Sequence, residues 1–239
     1  MRMFNLPLIN FIRSGDMIGA LAYLAGCMVI IFLVLPFHEY AHGFAAYKLG
    51  DPTAKYSGRL SLNPMSHIDW LGAALIVAVG FGWAKPVPVN VRYFNHPKRD
   101  MAITAVAGPL SNLLMAFVAL LLYYGLHWFS IAIHPQWLMS ETGLTALSFL
   151  VETLQLIAYL NVGLAVFNLI PIPPLDGSRL LTALLPDRIY YRIMQYEQYI
   201  MIGLFLLIFI GVLDGPLSFL RTYTLAGLEW LAALPFGLH

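Results

Sequence analysis

The chain has 239 residues, 60% of them hydrophobic and only 10% charged, with a net charge of +1 and one cysteine. That balance excludes an ordinary soluble domain and points to an integral membrane protein. The charge argues against nucleic acid as a partner, and the lone Cys27 excludes both an intrachain disulfide and a cysteine-built metal site. The expected fold is an α-helical multi-pass membrane protein with about five to six transmembrane helices, read as one domain over residues 1–239.

Residues 1–16 are short and mixed and read as an interfacial lead-in. Residues 17–37 are apolar and long enough to span a bilayer. Leu24-Ala25-Gly26-Cys27 resembles a lipoprotein processing site, but the apolar run continues to Phe37, so the segment reads as an uncleaved helix. That helix is expected to continue through His42 to Leu49 and stop at Gly50-Asp51-Pro52. Pro36 lies inside it and should remove one hydrogen bond and kink it.

Residues 70–84 are apolar but short, broken by Gly72, Gly80 and Gly82, and flanked on both sides by basic, turn-rich segments. A full crossing would place one basic loop outside, against the positive-inside rule. The region around 67–92 is therefore expected to be a re-entrant β element, with Lys85-Pro86-Val87-Pro88-Val89-Asn90-Val91 extended. Further apolar segments cover 101–126, 144–170, 198–213 and 217–234. Between the second and third of these, Pro171, Pro173, Pro174 and Gly177 forbid a regular helix.

The chemistry concentrates in His38-Glu39-x-x-His42. On a helix the two imidazoles project from one face, a spacing that suits two ligands of one zinc ion. Glu39 then lies beside the metal as a general base toward water. Ionisable groups in a membrane helix are costly and usually functional. If the basic loops mark the cytoplasmic side, His38 lies roughly 18 Å from the helix end, in the cytoplasmic half of the membrane. His67, His96, His127, His134 and His239 read as solvated or interfacial. Asp176 reads equally well as a third ligand on an unwound segment or as the Asp of an Asp-Gly turn.

The H-E-x-x-H motif in an apolar helix, followed by Asn168-x-x-Pro171 and Pro174-Leu175-Asp176-Gly177, resembles the site-2 proteases, the zinc metalloproteases of peptidase family M50. Gly108-Pro109-Leu110-Ser111-Asn112 is similar to a G-x-x-x-N pattern of the intervening helix. The resemblance covers residues 18–190 and is to the compact branch without PDZ or CBS domains. It implies one Zn²⁺ per chain on His38, His42 and Asp176, Glu39 as catalytic base, and Asn168 in the active site. It implies a β-structured element that holds unwound substrate, in which Gly80, Phe81 and Gly82 resemble a G-x-G signature. It further implies transmembrane protein substrates within the lipid bilayer of a prokaryotic cytoplasmic membrane, such as tethered regulators or leftover signal peptides. Two other readings differ in chemistry. A prenyl-protein-type membrane protease would take a Glu as third ligand, with Glu141, Glu152 and Glu197 available, and a metal-binding transporter or scaffold would bind without cleaving.

Overall fold

The computed structural model describes residues 7–80, 82–133 and 140–238. In chain order the helices are α1 (Pro7–Ser14), α2 (Met17–Lys48), α3 (Thr53–Tyr56), α4 (Trp70–Val79), α5 (Pro97–Ile133), α6 (Glu141–Asn168), α7 (Gly177–Leu184), α8 (Asp187–Met194), α9 (Glu197–Phe209) and α10 (Asp214–Ala233). Three of them, α2, α5 and α6, are long and apolar enough to cross a membrane. Helix α5 is central and packs against α2, α6, α7 and α10.

The packing is that of a membrane protein. Much of the buried set is small: Ala20, Ala22, Ala46, Ala116, Ala119, Ala158 and Ala165 all lie inside. Large apolar residues such as Leu33, Leu110, Leu114, Leu122 and Phe219 face outward. Lipid tails are as apolar as leucine, so helices gain little by hiding bulky side chains and much by close backbone approach.

Helix α2 holds its proline without interruption. Residues Ile30–Val34 form one π-helical turn, in which the Leu35 amide donates to the Ile30 carbonyl. In a regular helix the Pro36 ring would meet the carbonyl four residues back. The wider turn accommodates it one turn ahead of His38, and such turns are frequent at functional sites.

The re-entrant β expectation for 67–92 is corrected. Trp70–Val79 is helical, and no strand occurs among the described residues. Asp69 caps the start by accepting from the Gly72 amide, and Gly80 closes the end in the left-handed conformation. An apolar run without strict alternation, bounded by an Asx cap and a glycine, satisfies its amides as a helix. Helix α4 is about 15 Å long, half of what a bilayer requires. Its terminal carbonyls are met from α2, where the Tyr23 hydroxyl donates to Ile76 (3.0 Å) and Val77 (3.2 Å). Residues 82–90 carry no regular secondary structure and pair in no ladder; of the run expected to be extended from Lys85 to Val91, Asn90 has extended dihedrals and Val91 begins a 3-10 turn.

Candidate metal centre

His38 and His42 stand one turn apart on α2, both buried, at 5% and 8% exposure. Their Nε2 atoms are 3.1 Å apart. Asp176 Oδ2 lies 3.3 Å from His38 Nε2 and 3.2 Å from His42 Nε2. Ligands of a tetrahedral zinc at about 2.0–2.1 Å are themselves about 3.3 Å apart, so this His₂Asp set fits such an ion and leaves one position open. No Glu joins the cluster among the described residues.

Local structure explains how Asp176 arrives there. Helix α6 ends at Asn168, and the proline-rich segment returns the chain to α7. Asp176 occupies the N-cap of α7, yet its carboxylate caps nothing and faces the imidazoles. Gly177 permits the approach: a Cβ there would collide with the Leu169 carbonyl. Gly108 does the same for the histidines, since a Cβ there would run into the His42 ring and lie 2.6 Å from His38 Cε1. The His42 Nδ1 pairs with the Thr104 carbonyl at 2.8 Å, which puts its proton on Nδ1 and frees Nε2 toward the cluster.

Glu39 is held from the other side. One carboxylate oxygen accepts from the Val87 amide at 2.8 Å. Val87 lies between Pro86 and Pro88, which have no amide hydrogen to offer. The irregular segment is fastened at several points. Lys85 N donates to the His67 carbonyl (2.8 Å), Arg59 donates to the carbonyls of Lys85 (2.6 Å) and Pro86 (3.2 Å), and Asn90 N donates to Asp51 (2.6 Å). Asp51 is fully buried and also accepts from the Thr53 amide and hydroxyl.

His38, Glu39, Asp176, Asn168 and Gly82 line one cavity of about 610 Å³. Its apolar walls include Leu164, Phe167, Leu204 and Phe205. Gly80 lines a neighbouring cavity instead. Both glycines have structural work: Gly80 caps α4, and a Cβ on Gly82 would collide with the Gly72 carbonyl. Phe81 lies outside the described residues, as do His134 and His239. His67 departs from expectation. It is fully buried rather than solvated, with Nε2 paired to the Ser61 carbonyl at 2.7 Å, because it anchors the loop beneath the irregular segment.

Comparison with known proteins gives a consistent answer. The model of peptidase family M50 matches residues 26–210. The chain belongs to peptidase family M50. The protein named Putative zinc metalloprotease YwhC, from Bacillus subtilis, is 39% identical over 189 residues, covering 78% of this chain and 82% of that protein. Two proteins named Putative zinc metalloprotease Rip2 are more distant. The one from Mycolicibacterium smegmatis is 30% identical, covering 69% of this chain and 60% of its own length. The one from Mycobacterium tuberculosis H37Rv is 26% identical, covering 84% and 74%. No solved structure gives a significant match. The resemblance read from the paired motifs is thus shown, and an M50 membership carries zinc metalloprotease chemistry with it.

Sequence reading of this M50 chain missed Thr104, Val87 and Asp51. The first two act through backbone atoms, which no side-chain motif records. Asp51 was legible only as a helix stop, although an Asp before Pro-Thr is a turn former whose carboxylate seeks backbone amides.

Proposed function

We propose that the chain is an intramembrane zinc endopeptidase that hydrolyses peptide bonds within or near transmembrane segments of membrane-protein substrates. One observation carries the reading: His38, Glu39, Asn168 and Asp176 line one cavity, and His42 joins His38 and Asp176 in a ligand cluster beside it on the first long apolar helix. The ligand set takes one zinc ion per chain, which when bound supplies Lewis acidity toward the scissile carbonyl and lowers the pKa of water. Glu39 accepts the proton of the attacking water and returns it to the leaving amine. Its Val87 bond holds one oxygen and leaves the other for that proton. The Asn168 amide steadies the oxyanion that develops on the carbonyl. The apolar walls of the cavity receive substrate side chains and keep bulk water sparse.

The chain is read as one domain of five to six spans in a prokaryotic cytoplasmic membrane. Basic residues at 55–59, 85–99 and 179–192, outside the apolar stretches of the three long helices, support a cytoplasmic side next to the metal centre. The substrate helix must unwind before attack. The irregular segment at 82–90 is the candidate to receive it, although its Lys85, Val87 and Asn90 amides are already engaged.

Purified protein in detergent, loaded with zinc and given a model transmembrane substrate, tests the reading. Wild type should cleave it, and Glu39→Gln should bind zinc equally and lose at least about 10²-fold in rate. Zinc binding without cleavage by wild type would instead favour a metal-binding transporter or scaffold.

A further inference from the structure

The two ligand histidines are served unequally. His42 Nδ1 has the Thr104 carbonyl, whereas His38 Nδ1 is buried with no protein partner. An imidazole that ligates through Nε2 carries its proton on Nδ1 and needs an acceptor there. One fully buried side chain in the neighbouring helix has the opposite want. Asn112 is 0% exposed, and both Oδ1 and Nδ2 lack a partner. Buried amides are rarely left so.

Helix register brings the two needs together. Thr104, Gly108 and Asn112 are spaced four apart on α5 and share one face. Thr104 meets His42, and Gly108 meets the rings of both His42 and His38. The pairing therefore runs antiparallel, and the next position, Asn112, falls at the level of His38 or the turn before it. Side chains on a helix lean toward its N-terminus, which tilts the His38 ring toward that level. Gly108 itself adds no side chain on the face they share.

We propose that Asn112 is the positioning residue for His38, acting through one buried water that accepts from His38 Nδ1–H and donates to Asn112 Oδ1. The pair would do for His38 what the Thr104 carbonyl does for His42, fixing tautomer and ring orientation. This rests on the reading of His38 as a zinc ligand.

Zinc affinity of the full chain in detergent, by chelator competition, tests it without reference to activity. Asn112→Leu removes the acceptor while keeping the branched shape and the number of heavy atoms, and should weaken zinc about 10–100-fold, the usual cost of losing such a partner. Asn112→Asp keeps an acceptor and should bind close to wild type. Cobalt substitution should show an altered absorption band in the Leu variant alone. A Leu variant with lowered thermal stability but wild-type zinc affinity and cobalt spectrum would overturn the proposal, leaving Asn112 a packing residue. Should Asn112→Leu fail to give monodisperse protein, Asn112→Ala takes its place with the same readouts. Wild type that binds no stoichiometric zinc, or binds it as well after His38→Ala, would defeat the metal-centre reading itself.

Discussion

At the residue scale, the site combines side chains that announce themselves with backbone groups that do not. His38, Glu39 and His42 were legible because two ligands four apart need only a helix to converge. Asp176 was legible only as one of two alternatives, since Asp-Gly is also a turn pair. Geometry separates them: the carboxylate leaves its own helix uncapped and turns to the imidazoles. Val87 was legible as extended chain and nothing more, yet its amide is the group that holds Glu39. Val87→Pro deletes that hydrogen while keeping the extended backbone that its proline neighbours already impose. A carboxylate freed from one charge-assisted bond loses its aim, not its metal neighbours. Turnover should fall about 10–100-fold with KM little changed and zinc content intact, whereas Val87→Ala should stay near wild type. Steady-state kinetics with metal analysis on both variants check this. Equal activity of the two would remove Val87 from the mechanism.

At the element scale, two breaks in regular structure flank the site. One is the wide turn at Ile30–Val34, which lets Pro36 remain inside a continuous helix. Pro36 alone pointed to an irregularity here, but it could not reveal that the turn before it would widen. The other is the segment between α6 and α7, where three prolines predicted the break and its place. Helix α4 was misread as β because glycines, prolines and valines on either side outweighed an Asx-capped apolar run of ten residues. The α6–α7 break depends on Gly177 in a way that pattern reading assigns only to turning. Any Cβ there meets the Leu169 backbone, which no rotamer change can relieve. Gly177→Ala should therefore push α7 outward and carry Asp176 away from the histidines. Zinc affinity should fall at least about tenfold, although alanine is the better helix former by roughly 1 kcal/mol. Chelator competition on the purified variant reads the result. Unchanged affinity would mean the backbone yields without moving Asp176.

At the scale of the whole molecule, the arrangement of bulk inverts that of a soluble domain. The composition made a membrane protein legible, and hydropathy located its long helices, but neither shows which face of each helix meets its neighbours. The helices answer that through residue size. Ala116 of α5 is fully buried in a cluster with Val162 and Val166 of α6, while Leu114, two positions away, is about half exposed. For a water-soluble protein the outward leucine would be the anomaly. In lipid it is neutral, because the medium is as apolar as a protein core. Opposite effects should follow from exchanging bulk at the two positions. Ala116→Leu forces extra methylenes into a closed helix seam and should destabilise by about 1–3 kcal/mol. Leu114→Ala removes a larger group from the lipid face and should change stability by less than about 0.5 kcal/mol. Thermal unfolding in detergent or bicelles compares the two directly. A larger loss from Leu114→Ala than from Ala116→Leu would mean that α5 presents that face to protein and not to lipid.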